Sequence, residues 1–164
     1  MTKAALDSSV IITLSALGYL NKLKPIFEEI IVAKAVYEEI CSAGQGLVGD
    51  LELEEAIKNQ LIEVKEVKNQ LLVTALLDSL AVGEAETIVL AVDEHANQIV
   101  LDDKAARRKA KAMKLPVIGT LRVLKMMYDA KIIDKTDLIK ALERLEETGF
   151  RISKDIINIV KDQL

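Results

Sequence analysis

The chain has 164 residues and a formal net charge of −4, and 51% of its residues are hydrophobic. This length and composition predict one folded domain with a sizeable core and exclude a disordered chain. Aromatic residues make up only 3%, with no Trp, which argues against a base-stacking platform for single-stranded nucleic acid. The single cysteine, Cys41, excludes an intrachain disulfide, and the single histidine, His95, excludes a multi-histidine metal cage. No apolar run reaches membrane-spanning length and the N-terminus does not resemble a signal peptide, so we expect a soluble, cytoplasmic protein.

Short apolar or alternating stretches predict five strands, at 3–7, 29–33, 61–67, 98–101 and 116–119. Longer stretches predict the helices, at 8–23, 34–44, 50–60, 69–80, 83–95, 104–114, 120–130, 135–148 and 153–164. We expect Ser8 or Ser9 to cap the first helix, Gly44 to close the second and Asp50 to cap the third. The alternation of strands and helices predicts an α/β sandwich with a mostly parallel sheet, in which 61–67 is an edge or half-covered strand.

Acidic residues directly follow two of the predicted strands. Asp7 ends the first strand, and Asp102 and Asp103 follow the fourth. In open parallel sheets, binding sites form beyond the carboxyl ends of the strands. A single acid there is commonly a helix cap, but acids on two neighbouring strand ends form a repulsive cluster that attracts a divalent cation.

Helical periodicity selects further acids from two helices. In the second helix, Glu39 borders the apolar stripe, whereas Glu38 lies nearly opposite to it. In the helix at 83–95, Glu84 flanks the apolar stripe and Glu86 lies on the polar side. Periodicity alone favours a surface role over a ligand role for either glutamate. The pattern favours Glu84 over Glu86 but leaves both open.

The resulting set is Asp7, Glu39, Glu84 and Asp102, with Asp103 close by. Such a cluster suits Mg²⁺ or Mn²⁺, which prefer oxygen ligands. A metal held there would be suited to hydrolysis of a phosphodiester, because it activates a water molecule and stabilises charge on the phosphate.

Three hydroxyl residues near strand ends could orient a ligand or a water molecule: Ser8, Ser9 and Thr120. The alternative is that they cap helices.

Six cations follow the acidic pair within one predicted helix: Lys104, Arg107, Arg108, Lys109, Lys111 and Lys114. They form either a solvated helix or a surface that attracts backbone phosphates without regard to sequence and with a dependence on salt. We expect Arg107, Arg108 and Lys111 to contact nucleic acid, since Ala106 and Ala110 occupy the packing stripe of this helix.

Two other phosphate-handling classes are excluded by single positions. A phosphoacceptor receiver domain needs an acidic pair after the first strand, but Ser8 follows Asp7. A haloacid-dehalogenase-type phosphatase needs a second aspartate two residues after the first, and that position is Ser9. The sequence also has no glycine-rich phosphate loop of the Walker or dinucleotide type.

Five segments, in this order, resemble those of PIN-domain ribonucleases, in the prokaryotic branch related to the VapC-like toxins. They are "ALDSSVIITLSALG", "VAKAVYEEI", "GEAETIVLA", "IVLDDKAARRKA" and "LPVIGTLRVLKMMYDAKII", and they cover roughly residues 4 to 133. The resemblance implies a three-layer α/β/α sandwich with a short-stranded, mostly parallel sheet. It makes 1–164 a single PIN-like domain, with 134–164 as a helical C-terminal extension.

The resemblance also implies a metal-dependent endoribonuclease that uses Mg²⁺ or Mn²⁺ and acts on RNA. It assigns metal and catalytic roles to Asp7, Glu39, Glu84 and Asp102, and Asp103 could share the role of Asp102. Many of the toxins have an aspartate where this chain has Glu84. The implied partners are a small antitoxin and a second copy of the chain. The alternative is a PIN-fold module that lacks catalysis and acts by binding protein or RNA.

Overall fold

The structure is a computed structural model that describes residues 2–42 and 48–147, together with residues 158, 161 and 162. The strands are β1 (Lys3–Leu6), β2 (Glu29–Ala33), β3 (Ile62–Lys65), β4 (Gln98–Val100) and β5 (Val117–Ile118). The α-helices are α1 (Ser8–Ala16), α2 (Lys34–Tyr37), α3 (Asp50–Lys58), α4 (Gln70–Leu76), α5 (Val82–Asp93), α6 (Lys104–Ala112), α7 (Thr120–Asp129) and α8 (Lys135–Glu147). A short 3-10 helix (Leu20–Lys22) and a π-helix (Glu38–Ser42) complete the described elements.

The five strands form one parallel sheet in the order β3-β2-β1-β4-β5. The central strand β1 pairs with β2 on one side and β4 on the other, so Ala5 is in register with Ile31 of β2 and with Ile99 of β4. These strands are apolar because helices cover them from both faces. The prediction of an α/β/α sandwich is confirmed, and β3 is an edge strand as its alternating sequence indicated.

Two groups of helices enclose the sheet. Helix α5 packs on β1, β2 and β4 and also contacts α2, α4 and α6. On the other side α1 contacts α3 and α7, and α7 contacts α8. The core between these layers is aliphatic, as the low aromatic content predicted, and Phe27 is its largest fully buried side chain. No helix within the described residues is both long enough and apolar enough to cross a membrane.

The first helix is shorter than predicted. It ends at Ala16 instead of continuing to residue 23, because Gly18 adopts φ +78°. The Tyr19 amide donates to the Leu14 carbonyl and the Gly18 amide to the Ser15 carbonyl, which is the Schellman pattern of helix termination. The apolar residues beyond it form the 3-10 turn.

Two predicted helix caps are wrong. Asp7, and neither Ser8 nor Ser9, occupies the N-cap position of α1. Gly49 occupies that position for α3, and its amide donates to the Glu52 carboxylate at 3.1 Å, so Asp50 is already the first helical residue. The predicted closure at Gly44 lies outside the described residues, as does nearly all of the predicted helix at 153–164.

The predicted second helix is α-helical only as far as Tyr37 and continues as the π-helix. The predicted C-terminal extension begins with α8, which buries Leu138, Ala141 and Leu142 against the core. From this helix the Arg144 guanidinium donates to the Ala16 carbonyl at 2.8 Å.

Candidate active site

The predicted acidic residues lie at the carboxyl edge of the sheet. Asp7 directly follows β1, and Asp102 and Asp103 follow β4 after one residue. These two strands are neighbours, and the chain order reverses between them because β2 and β3 extend to one side and β5 to the other. Such a switch point is where ligands bind in open parallel sheets.

Asp7 is the most buried acid of the group, with 2% of its surface exposed. Its Oδ1 atom is buried and has no hydrogen-bond partner among the described residues. Burial, with a smaller contribution from the charges of Glu39, Asp102 and Asp103, raises the pKa of the Asp7 carboxyl to about 6, although the backbone N–H of Ser8 acts in the opposite direction. A buried carboxylate in this position needs a cation to be stable in its charged form.

Asp102 is held by Thr120, at the start of α7. The Thr120 amide donates to Oδ1 at 2.8 Å and its hydroxyl donates to Oδ2 at 2.5 Å. Thr120 is fully buried. The Asp102 carboxylate, which follows β4, is therefore held in one orientation by the start of α7, which follows β5. The Thr120 hydroxyl, which we expected to orient a ligand or a water molecule, thus donates to the Asp102 carboxylate.

Asp103 has a different environment from Asp102. Its Oδ2 accepts the Ala106 amide at 2.9 Å, which makes it the N-cap of α6. Burial is the largest cause of the raised pKa of Glu84, and the charge of Asp103 and its hydrogen bond with Glu84 add to it. Both aspartates therefore face the acidic group, Asp102 oriented by Thr120 and Asp103 by the first turn of α6.

Glu84 and Glu86 are clearly separated by their contacts. Glu84 is half-buried, and its pKa is raised to about 7 by burial, by Asp103, by Asp7 and by Glu39. The Glu86 carboxylate instead accepts the Ala35 amide at 3.1 Å, in the first turn of α2. Glu84 thus lies in the acidic group, while Glu86 satisfies a backbone donor at a helix start.

Glu39 reaches the group beside Gly83. A Cβ atom at Gly83 would lie 2.9 Å from Glu39 Oε2 and 4.0 Å from Asp7 Oδ1. Glu39 lies in the π-helix, and single π turns are frequent at functional sites. Glu38 lines a separate groove with Lys34.

The predicted acids do not form a compact three-residue cluster within the described part of the chain. Within the described residues, the set of three whose potential ligand atoms lie within 4.8 Å of one another is Cys41, Asp50 and Glu54, not the predicted acids. That set is poorly suited to a metal, because burial, followed by Glu54, raises the pKa of the Cys41 thiol to about 12 and a metal needs the thiolate. The Tyr37 hydroxyl also donates to the Glu54 carboxylate at 2.6 Å.

The predicted acids nevertheless fit a hard divalent cation. They offer oxygen atoms only, the Asp7 Oδ1 atom is buried without a partner, and no ion pair among the described residues neutralises any of them. Burial together with the mutual repulsion of the acids accounts for the raised pKa values of Asp7 and Glu84.

A basic groove adjoins this acidic group. Its volume is about 410 Å³, and its lining residues are Asp102, Lys104, Arg107, Arg108 and Lys111. Lys104, Arg108 and Lys111 are exposed. Arg107 is only half-exposed, and its Nη1 donates to the Leu101 carbonyl at 2.8 Å. The three cations predicted to contact nucleic acid, Arg107, Arg108 and Lys111, thus line one groove. Of these, Arg107 also has a backbone partner within the protein.

The remaining predicted residues differ in burial, and two glycines join the site without having been predicted. Ser8 is buried, and its backbone N–H acts to lower the pKa of Asp7, while Ser9 is exposed. The sequence analysis did not identify Gly83 and Gly119 as site residues. A Cβ at Gly119 would lie 2.8 Å from Arg107 Nη1 and 3.1 Å from Asp102 Oδ1. A glycine directly before a candidate ligand, or before the threonine that holds one, was the available signal.

The parallel sheet and the acidic group at its switch point define an α/β protein with a candidate divalent-metal site. A family model described as a PIN domain matches residues 3–164, so the chain belongs to the PIN-domain family. PIN domains are generally nucleases and typically use divalent metals.

A solved structure supports the same fold. A PilT N-terminus domain protein from the hyperthermophilic archaeon Sulfolobus solfataricus P2 superposes with a TM-score of 0.50 at 18% identity, over 76% of this chain and 92% of that one. No curated protein matches this chain.

Proposed function

We propose that this protein is a divalent-metal-dependent endoribonuclease whose acidic residues hold Mg²⁺ or Mn²⁺. The observation that carries the proposal is the buried Asp7 Oδ1 at the switch point of the sheet, which has no hydrogen-bond partner in the described part of the chain. Further acids surround it, and a basic groove adjoins it. Membership of the PIN-domain family supports it.

Four residues would hold the ion: Asp7, Glu39, Glu84 and Asp102. Asp103 could replace or assist Asp102. The bound ion would supply an activated water and stabilise negative charge on the phosphate.

The protein's own side chains have separable tasks. Thr120 fixes the orientation of Asp102 through two hydrogen bonds. Lys104, Arg108 and Lys111 are exposed in the groove beside Asp102 and would attract the phosphates that flank the cleaved bond. The aromatic content is too low for extensive base stacking, so this attraction would depend little on base identity.

The test is cleavage of a panel of single-stranded and structured RNAs with EDTA, Mg²⁺ or Mn²⁺. We expect cleavage only with a divalent ion, and a loss of at least about a hundredfold in Asp7→Asn, which should remain folded. Glu38→Gln is the matched control, because Glu38 lines a different groove, and it should retain wild-type activity.

Metal-independent cleavage would contradict the proposal. No cleavage over the panel, with no ion bound, would favour the alternative of a non-catalytic PIN-fold module. The spacing of the acids, no three of which approach within 4.8 Å in the described residues, is the observation that supports this alternative.

The proposal includes a role as the toxin of a toxin–antitoxin pair, with a small antitoxin and a second copy of the chain as partners. This part rests on the resemblance of the sequence to toxin ribonucleases. A small antitoxin should be encoded beside this chain, and its co-expression should suppress RNA cleavage and growth inhibition. Sedimentation of the purified protein would show whether it forms the expected homodimer.

A further inference from the structure

Arg107 differs from the other cations of the basic groove. Its Nη1 donates to the Leu101 carbonyl at 2.8 Å, and its side chain is half-exposed, whereas the neighbouring Arg108 is exposed. Leu101 is the last residue before the acidic pair. The guanidinium therefore contacts the backbone from which Asp102 projects.

The segment around Asp102 is fixed from several directions. The Leu101 amide donates to the Ile118 carbonyl at 3.0 Å, which ties the end of β4 to β5. The Leu101 carbonyl accepts from Arg107, and the Asp102 carboxylate accepts from Thr120 at both oxygens. Of these partners, Arg107 alone is a side chain from α6.

Gly119 makes room for this arrangement. A Cβ at this position would lie 2.8 Å from Arg107 Nη1 and 3.1 Å from Asp102 Oδ1. The guanidinium and the carboxylate therefore approach the same backbone position between β5 and α7. A side chain there would displace one or both of them.

We propose that Arg107 is a positioning residue, which holds the end of β4 so that Asp102 keeps the orientation that Thr120 completes. Its importance for catalysis rests on the proposed function, but its structural effect does not. In this interpretation Arg107 is not primarily a phosphate-binding residue, and the phosphate contacts of α6 come from Arg108 and Lys111.

The first readout needs neither metal nor RNA. Hydrogen exchange of the Thr120 amide, followed by NMR in EDTA, reports on its bond to Asp102. We expect exchange to be at least about tenfold faster in Arg107→Ala than in wild type, and unchanged in Arg108→Ala. Arg107→Lys should restore part of the protection, because a lysine can donate one hydrogen bond to the Leu101 carbonyl.

The second readout is Mn²⁺ affinity, for which the two roles of Arg107 predict opposite signs. If Arg107 were only a cation near the site, its removal would tighten Mn²⁺ binding by relieving repulsion. Loss of positioning should instead weaken binding, by about ten- to a hundredfold as for other residues that orient metal ligands. Arg108→Ala measures the charge effect alone.

Gly119→Ala provides a second variant, since its Cβ would meet both Arg107 Nη1 and Asp102 Oδ1. It should accelerate Thr120 exchange and weaken Mn²⁺ binding as Arg107→Ala does, with the fold retained. If Arg107→Ala fails to fold, a partial loss of Thr120 protection in Arg107→Lys decides the question. Unchanged Thr120 exchange in the folded variants, with RNA affinity reduced as in Arg108→Ala, would overturn the proposal. If wild type binds no Mn²⁺ and cleaves no RNA, the proposed function fails, while Thr120 exchange still decides whether Arg107 positions Asp102.

Discussion

The carboxyl group of Asp7 lies where burial and three neighbouring acids all favour its protonated form. Its pKa in the folded chain, about 6, is above the ordinary value of 3.8. The folded state therefore binds more protons than the unfolded state between about pH 4 and pH 6, and stability falls as pH rises through this range. Glu84, with a pKa of about 7, extends the same trend toward neutral pH.

This pH dependence is testable in EDTA by urea denaturation at pH 5 and pH 8. We expect wild type to be less stable at the higher pH. Asp7→Asn should remove about 1 kcal/mol of the difference, because part of the Asp7 titration lies below pH 5, and Glu84 accounts for most of the remainder. An Asp7→Asn variant with the same pH dependence as wild type would show that Asp7 ionises without cost.

The two glutamates of α5 should give opposite phenotypes. Glu86→Ala removes the acceptor of the Ala35 amide, so it should cost about 1 kcal/mol of folding stability but leave RNA cleavage intact. Glu84→Gln removes a charge that burial and neighbouring acids disfavour. It should raise stability at pH 8 and abolish cleavage. Urea denaturation and a cleavage assay on both variants check this, and the reverse pattern would make Glu86 the functional acid.

At the scale of elements, the start of α5 depends on a residue without a side chain. Gly83 is the second residue of α5 and is buried. A Cβ there would lie only 2.9 Å from Glu39 Oε2 in the π-helix, but at an ordinary contact distance of 3.6 Å from Val36. The atom that must move is the end of a flexible side chain. Substitution should therefore disturb the site more than the fold.

Gly83→Ala should retain wild-type stability or exceed it, because alanine favours the helix by up to about 1 kcal/mol, and should lose at least about tenfold in cleavage. Gly18→Ala is the matched control. It has open space around its Cβ but a φ of +78°, so it should lose about 1 kcal/mol of stability and retain activity per folded molecule. Thermal unfolding and cleavage rates measure both, and equal activity in Gly83→Ala would remove Gly83 from the site.

The sequence predicted the elements well where apolar patterning decides them and less well where the backbone changes conformation. The strands β1, β2 and β4 were found to within one residue, because buried strands read as uninterrupted apolar runs. The end of α1 at Ala16, before Gly18, was missed, since apolar residues continue beyond it. The π-helix was missed because side-chain periodicity does not distinguish one wider turn.

Over the whole molecule, charge is distributed unevenly along the carboxyl edge of the sheet. The groove on the β4–β5 side is lined by four cations of α6. The groove on the β2–β3 side, of about 330 Å³, is lined by Lys34 with Glu38, Glu66 and Glu86, and Lys34 pairs with Glu66 at 3.2 Å. In a chain of net charge −4, RNA should therefore approach along α6.

This asymmetry predicts the salt dependence of RNA binding. Arg108→Ala and Lys111→Ala should each weaken binding and reduce the slope of log affinity against log salt by about 0.7. Lys34→Ala should leave the slope unchanged. Binding of a labelled single-stranded RNA in Ca²⁺ or EDTA at several salt concentrations measures this, and an equal effect of Lys34→Ala would place RNA across both grooves.

The parallel topology explains why the location of the candidate site could be predicted. Strand ends that are far apart in sequence meet at one edge, so Asp7 and Asp102 could be brought together from their positions alone. Side-chain contacts between elements could not be predicted from the order of the strands. The bond from Arg107 to Leu101 and the approach of Glu39 to Gly83 depend on how the helices pack.

The most direct test of the proposed metal site is a titration of Mn²⁺ into EDTA-treated, dialysed protein, with free Mn²⁺ followed by electron paramagnetic resonance. Wild type should bind the ion, Asp7→Asn should bind it at least about tenfold more weakly, and Glu54→Gln should bind it as wild type does. Equal binding by wild type and Asp7→Asn, with loss in Glu54→Gln, would instead place the ion at Cys41, Asp50 and Glu54 and contradict a catalytic metal at the carboxyl edge of the sheet.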